Sequence, residues 1–193
     1  ENTLNALHRL ASFHRKKFQK PLIGITGSNG KTIVKEWLYL LLQKNYIIIR
    51  SPGSYNSQIG VPLSIWNLHE KADLAIIEAG VGQQGDMERL AEIIQPNIGI
   101  FTNIGDAHSA GFNSLREKTR EKLLLFQQSE VLFYNSDNNI LKQEVADWAT
   151  ANSIGNERLF EIGTSGSAVL RITKLDSNEA GTYIEAKYTG RQL

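Results

Sequence analysis

Short apolar segments alternate with longer amphipathic segments along most of the chain. Runs of apolar and β-branched residues bounded by polar or turn-forming residues predict strands at 22–26, 46–50, 73–78, 98–102 and 131–134. Apolar residues that recur at helical spacing predict helices at 4–18, 31–44, 59–69, 86–95, 114–128 and 139–150. This alternation is typical of βαβ units, in which right-handed crossovers build a mainly parallel sheet.

The pattern changes near Leu159. Two segments rich in strand-forming residues, 169–173 and 183–188, are separated by turn-forming residues that include Asn178 and Gly181. This spacing predicts a β-hairpin, which either extends the sheet with an antiparallel edge or forms a small subdomain. The predicted fold class is therefore α/β, with a mainly parallel sheet, helices on both faces and a β-hairpin extension near the C-terminus.

Composition narrows the class of protein. The 193 residues are 41% hydrophobic and 21% charged, which excludes a disordered chain and leaves ample material for a buried core. The 21 basic and 20 acidic residues leave a net charge of +1, so no global field favours nucleic acid or an anionic membrane. Absence of cysteine excludes disulfides and thiolate metal sites. No apolar stretch reaches about 18 residues, so we expect a cytoplasmic protein without membrane insertion.

The most informative segment is the glycine-rich run that follows the first predicted strand and precedes a helix. Its glycines let backbone N–H groups approach phosphate oxygens, and the helix N-terminus adds a favourable dipole. Lys31 can reach the β- and γ-phosphates, and the Thr32 hydroxyl can bind Mg²⁺. The usual P-loop pattern has glycine where this chain has Ile25, and the alternative is a simple glycine turn. We predict a nucleotide-phosphate site formed by Thr26, Gly27, Ser28, Asn29, Gly30, Lys31 and Thr32.

Three polar residues follow other predicted strands, whose carboxyl ends meet at the same edge of a parallel sheet. Glu78 is a candidate Mg²⁺ ligand, although a strand-end acid exposed to water would look the same. Asn56 is a candidate phosphate ligand or a turn residue. His108 lies in the loop after strand 98–102, and its imidazole alone does not predict a Mg²⁺ ligand, because Mg²⁺ prefers oxygen.

Lys122 is unusual within the charged helix 114–128. It is seven residues after Leu115 and four before Phe126, which places it on their face of the helix. A buried lysine loses its proton more readily, and a neutral amine can react with carbon dioxide to form a carbamate. The residues around it are expected to form a solvated face: Arg116, Glu117, Lys118, Arg120 and Glu121.

Together these segments resemble the Mur ligases, the ATP-dependent amide-forming enzymes of peptidoglycan synthesis. The phosphate loop is similar to the family pattern TG[ST]xGKT, which accounts for Ile25. Within the family, the run from His108 to Ser114 and the stretch 84–87 are most similar to members that join D-alanyl-D-alanine to UDP-N-acetylmuramoyl-tripeptide. The segments that carry the resemblance are TGSNGKT at 26–32, SYNSQIGVPLS at 54–64, EAG at 78–80, TNIGDAHSAGFNS at 102–114 and REKLLLF at 120–126.

The resemblance implies roles for the candidate residues. Lys31 would hold the ATP phosphates and Thr32 one Mg²⁺, while Glu78 and His108 would help bind a second Mg²⁺. Asn56 would contact the nucleotide phosphates or an acyl phosphate, and Lys122 would be carbamylated and assist metal binding. The catalytic set implied is Lys31, Asn56, His108 and Lys122, with metal contacts from Thr32, Glu78, His108 and Lys122.

The resemblance also implies a domain organisation. Residues 1–20 would be a lead-in helix from an N-terminal UDP-sugar domain, and residues 21–193 part of the central ATP-binding domain. The UDP-sugar and C-terminal domains are then absent from this chain, which alone would be inactive. Alternatives are another Mur ligase, a folylpolyglutamate synthetase-like ligase, or a non-catalytic P-loop nucleotide-binding module. A fused alanine racemase, found in some relatives, stays open.

Overall fold

The computed structural model describes residues 2–105, 111–166, 168–179 and 181–188. The strands in these ranges are β1 (Leu22–Thr26), β2 (Ile48–Arg50), β3 (Leu74–Glu78), β4 (Ile98–Phe101), β5 (Val131–Asn135), β6 (Leu159–Gly163), β7 (Leu170–Asn178) and β8 (Gly181–Tyr188). The helices are α1 (Thr3–Arg15), α2 (Lys31–Leu42), α3 (Gly60–Ile65), α4 (Asp86–Ile94), α5 (Leu115–Leu123) and α6 (Asn139–Ala151). Short 3-10 turns follow α5 at Leu124–Phe126 and precede β6 at Asn156–Arg158.

The strands form one sheet in the order β2-β3-β1-β4-β5-β6-β7-β8. Every neighbouring pair from β2 to β7 is parallel, and β7 pairs with β8 in antiparallel orientation. The predicted parallel sheet is confirmed, and the predicted hairpin is an antiparallel extension of that sheet. Because β1 lies between β3 and β4, the ends of these three strands meet at the centre of one edge.

Strand β6 is absent from the sequence prediction. It is short, and Glu161 interrupts its apolar residues at the centre of the strand. The structure pairs this carboxylate with neighbours on both sides: Glu161 Oε1 accepts from Tyr134 Oη at 3.0 Å, and Oε2 lies 3.2 Å from Lys142 Nζ. Tertiary pairing therefore places a polar residue in a strand that local pattern does not indicate. The hairpin strands also extend beyond the predicted 169–173 and 183–188.

Helices pack on both faces of the central strands, which explains why β1 is buried along its whole length. On one face, α1, α3, α4 and α5 cover a large core that includes Leu22 and Ile77. On the other face, α2 places Val34 and Leu38 against Ile23, Ile25 and Ile76.

The first helix is integrated into the larger core. Ala11 and Phe18 are buried there, and α1 packs against α3 and α4. The Arg15 guanidinium donates to Ile94 O at 2.7 Å and to Gln95 O at 2.8 Å, which satisfies carbonyls at the end of α4. Within the described ranges, no helix combines the length and apolar character needed to cross a membrane.

Candidate functional site

The glycine-rich loop connects the end of β1 to the start of α2. Its backbone has positive φ angles at two glycines. Gly27 and Gly30 have φ values of +148° and +79°. A Cβ on Gly27 would lie 2.0 Å from Thr102 Oγ1, so no side chain fits there without displacing that residue. Gly30 caps α2 without a side-chain hydrogen bond, which leaves the first N–H groups of the helix directed toward the loop. This arrangement suits an anion.

The loop is held by the segment that follows β4. Ser28 N donates to Asn103 O at 2.9 Å, and Asn29 N donates to Asn103 Oδ1 at 3.0 Å. Thr102 Oγ1 donates to Asn29 O at 2.6 Å, and Ser28 Oγ donates to Gly105 O at 3.0 Å. Two strand-end loops are thus cross-linked, and protein hydrogen bonds fix the shape of the glycine-rich loop.

Lys31 folds back over this loop. Its Nζ donates to Gly27 O at 2.9 Å. Burial lowers the pKa of Lys31 below the usual lysine value, and the Glu78 carboxylate partly offsets the effect. The ammonium therefore lies beside the glycine-rich backbone, where a phosphate could replace the carbonyl as its partner.

Glu78, Asn56 and Thr32 come together at the end of β3. The Glu78 side chain is fully buried, so the alternative of a water-exposed acid is wrong. Glu78 Oε1 accepts from Asn56 Nδ2 at 2.7 Å and from Thr32 Oγ1 at 3.3 Å. Asn56 is therefore more than a turn residue, because its amide orients this carboxylate.

These residues fit a hard divalent cation. Mg²⁺ takes oxygen ligands, and the Thr32 hydroxyl and the Glu78 carboxylate offer them beside the phosphate loop. Glu78 Oε2 is buried and accepts no hydrogen bond, and the ammonium of Lys35 lies 3.4 Å from it. His108, the other metal residue predicted here, lies outside the described residues. Among the described residues, no cluster of three or more His, Asp or Glu side chains surrounds a potential metal position.

Lys122 reaches the same loop from α5. It is buried, as its spacing from Leu115 and Phe126 predicts, and its Nζ lies 3.3 Å from Gly27 O. Burial, followed by the positive charges of Lys31 and Lys118, lowers the pKa of Lys122 to about 7, against a smaller opposing effect of Glu121. A substantial neutral fraction at physiological pH is the condition for reaction with carbon dioxide. Carbamylation itself stays a prediction.

Two neighbours of Lys122 contradict the expected solvated face. Lys118 is 1% exposed, and its Nζ donates to Gly105 O at 2.7 Å. Glu121 is also buried, and its Oε1 accepts from Met87 N at 2.7 Å in the first turn of α4. The prediction was wrong for Lys118 and Glu121 because α5 packs between α4 and α6. It was right for Arg116 and Arg120, whose side chains are exposed. Helical spacing could have indicated Lys118, which precedes Lys122 by four residues.

Lys35 is a further charged residue that sequence reasoning missed. It lies one turn beyond Lys31 on α2, and its side chain is fully buried. The Lys35 ammonium lies 3.4 Å from Glu78 Oε2. The four-residue spacing from Lys31 is the signal that places both lysines on one face of the helix.

An apolar cleft lies between α2 and the carboxyl ends of β4, β5 and β6. Its walls include Val34, Leu38, Phe133 and Ile162. Thr102 also lines it and, as described above, bonds to the phosphate loop, so cleft and loop are adjacent. The cleft is concave and mostly apolar, which suits a flat aromatic group.

Comparison with known proteins gives one matching family model and several proteins of similar sequence. A family model described as the Mur ligase middle domain matches residues 25–192. A protein of Treponema pallidum (strain Nichols) named UDP-N-acetylmuramoyl-tripeptide–D-alanyl-D-alanine ligase is 40% identical over 128 residues, covering 66% of this chain and 28% of that protein. A protein of the same name from Rickettsia prowazekii (strain Madrid E) is 34% identical over 141 residues, covering 72% and 31%. The chain thus spans about a third of the length of these relatives.

Solved structures give the same grouping. The MurF ligase from Thermotoga maritima, determined in complex with ADP, has a TM-score of 0.81 at 26% identity, covering 97% of this chain and 43% of that chain. MurF from Acinetobacter baumannii has a TM-score of 0.81 at 21% identity, covering 96% and 42%, and shares the fold.

Proposed function

Because the chain belongs to the Mur ligase family, whose middle domain matches residues 25–192, we propose that it is the ATP-binding part of an acid–amino-acid ligase. The substrates would be UDP-N-acetylmuramoyl-tripeptide and D-alanyl-D-alanine, as the names of the relatives suggest. One observation carries the proposal: the buried carboxylate of Glu78 contacts Asn56 and Thr32 beside the glycine-rich loop.

The proposed reaction has two steps. A carboxylate oxygen of the tripeptide attacks the γ-phosphorus of ATP, the bond from that phosphorus to the ADP oxygen breaks, and an acyl phosphate forms. The amine of D-alanyl-D-alanine then attacks the acyl carbon, phosphate departs with the bonding pair, and the amine proton passes to solvent. Phosphate is a good leaving group, so the protein contributes mainly positioning and charge stabilisation.

The phosphate loop would bind the triphosphate through backbone N–H groups and the N-terminus of α2. Lys31 would exchange its contact with Gly27 O for phosphate oxygens. That exchange needs only rotation of the side chain, since the ammonium already lies beside the loop. Its positive charge would stabilise the transferring group.

Thr32 and Glu78 would hold Mg²⁺, with Asn56 orienting the carboxylate. Bound there, the cation would neutralise negative charge on the phosphate oxygens. His108 is proposed as a further contact from the loop after β4. The buried position of Glu78 excludes bulk water from the carboxylate and strengthens its electrostatic effect.

Lys122 would supply a carbamate. Its neutral amine nitrogen attacks the carbon of carbon dioxide, a C=O bonding pair moves onto oxygen, and the amine releases one proton. The product replaces the ammonium charge near Gly27 O with a negative group. Its two oxygen atoms can bind a metal ion. The low pKa of Lys122, about 7, supports this role.

The adenine would occupy the apolar cleft beside the loop. Val34 and Leu38 belong to α2, whose N-terminus would bind the phosphates, so one helix would contact both ends of the nucleotide. The side chains of Phe133 and Ile162 form the opposite wall. In this placement, apolar side chains would cover the faces of the aromatic base, and no charged surface is needed.

The test uses the intact protein that contains this sequence. Phosphate release from ATP is measured with UDP-tripeptide and D-alanyl-D-alanine, together and separately. We expect release with amide formation only when both are present, and loss of at least a hundredfold in Glu78→Gln. Lys44→Met, an exposed lysine beyond the end of α2, is the matched surface control and should retain activity.

Three outcomes would contradict the proposal. Amide formation with a different amino substrate, such as a diamino acid or glutamate, would assign the chain to another ligase of this type. Binding of MgATP without any substrate-dependent phosphate release would indicate a non-catalytic nucleotide-binding module. Unchanged activity in Glu78→Gln would remove the carboxylate from the site.

A further inference from the structure

Lys35 carries a charge into the interior of the domain. Its side chain has no exposed surface, and so its ammonium has lost its hydration. Such burial is costly unless the charge is paired and hydrogen-bonded. The contacts that offset the cost of burying this charge therefore indicate the role of Lys35.

Two carbonyls and two carboxylates surround the ammonium. Lys35 Nζ donates to Ser51 O at 2.7 Å and also to Gly53 O, both in the loop after β2. The buried Glu78 Oε2 lies 3.4 Å away. Glu36 Oε1 is equally near, but this carboxylate is 37% exposed and forms an ion pair with Arg50 at 3.0 Å. Glu78 is thus the interior counter-charge of Lys35.

The two oxygens of Glu78 contact different groups. Oε1 contacts Asn56 and Thr32 at the phosphate loop, whereas Oε2 contacts only the Lys35 ammonium among the groups described above. The loop that carries Asn56 is bound to both residues through Ser51. Glu78 N donates to Ser51 Oγ at 3.1 Å, and Lys35 Nζ donates to Ser51 O.

We propose that Lys35 is a positioning residue: its ammonium is the internal counter-charge that holds Glu78 in place, with Oε1 toward Thr32. Within the site the inference rests on the proposed function, since that function makes Glu78 a cation ligand. The hydrogen bonds of Lys35 go to Ser51 O and Gly53 O. Lys35 acts through Glu78 and through the loop that carries Asn56.

A double-mutant cycle tests the charge pairing without any nucleotide. The thermal midpoints of the intact protein, Lys35→Met, Glu78→Gln and the double variant are measured in EDTA. Each single change leaves one buried charge without its partner, and we expect each to lower the midpoint by about 5 °C or more. The midpoint of the double variant should be clearly higher than the value obtained by adding the two single losses. Additive losses would overturn the proposal, since they would leave Lys35 only the carbonyl contacts of Ser51 and Gly53.

A second measurement separates counter-charge from loop anchoring. Addition of MgADP should raise the midpoint more in Lys35→Met than in the unmodified protein, because the bound cation replaces the missing ammonium. Equal increments would contradict the proposal. Lys44→Met should behave as the unmodified protein in both measurements.

If a single variant does not fold, the double variant still tests the pairing. A folded double variant would support the pairing, and a double variant that also does not fold would overturn it. Failure of the proposed function is distinguishable, because MgADP would then leave the midpoint of the unmodified protein unchanged while the coupling in EDTA would persist.

Discussion

The reactivity of Lys122 with carbon dioxide can be predicted quantitatively from its surroundings. At pH 7 a lysine with the ordinary pKa of 10.5 is neutral in roughly one molecule in 3,000, whereas a pKa of about 7 makes it neutral in roughly half. Only the neutral amine forms a carbamate. The environment of Lys122 therefore raises its reactive fraction by about a thousandfold.

The assay is ¹³C NMR of the intact protein in ¹³C-labelled bicarbonate. We expect a carbamate resonance that grows with pH and has its midpoint near pH 7, rather than near the usual lysine value. The resonance should be absent in Lys122→Ala and present in the exposed-lysine control Lys44→Met. Lys118→Met should move the midpoint upward, since the Lys118 charge is one of the causes that lower the pKa of Lys122.

The same group predicts a pH dependence of stability in carbonate-free buffer. Below about pH 7 both the folded and unfolded forms carry a charged Lys122, and the cost of burying that charge is fully present. Between about pH 7 and 10.5 the unfolded form binds more protons, so the free energy of unfolding rises by up to about 1.4 kcal/mol per pH unit. Urea denaturation should show this slope and its loss in Lys122→Met. An identical slope in both proteins, or a carbamate signal in Lys122→Ala, would refute the reasoning.

Two other changes have defined outcomes. Gly27→Ala should weaken ADP binding at least tenfold by calorimetry, because its Cβ would clash near the loop, while Gly85→Ala also has a positive φ but open space and should leave binding unchanged. Glu144→Gln should lower the free energy of unfolding by about 1–3 kcal/mol in urea, because Glu144 is buried and its ion pairs with Arg116 and Arg120 join α6 to α5. The exposed guanidiniums would regain water, so a loss above that range would contradict this account.

Much of the site follows from local sequence. The phosphate loop is contiguous, and glycines that allow positive φ, a lysine and a hydroxyl suffice to predict its chemistry. The face of Lys122 follows from its spacing relative to Leu115, because α5 is a regular helix from Leu115 to Leu123. Parallel strands follow from the alternation of short apolar segments with amphipathic ones.

The rest depends on contacts between distant segments. The burial of Lys35 and Lys118 depends on which elements cover α2 and α5, and charge patterning alone predicts a solvated surface for such residues. Strand β6 is recognisable only through its pairing with β5. The position of β1 between β3 and β4, which places Glu78 beside Thr32, is likewise a property of the whole sheet.

The central position of β1 also determines when the phosphate loop can form during folding. The loop is complete at Thr32, yet its supports at Asn103 and Gly105 come more than 70 residues later in the chain. Closing such long segments is slow compared with forming a helix or a hairpin. A growing polypeptide that ends before β4 therefore lacks a shaped loop, and the proposed nucleotide binding would report that the middle of the sheet has assembled. The loop with the clearest local signature is thus shaped only once the segment that follows β4 is in place.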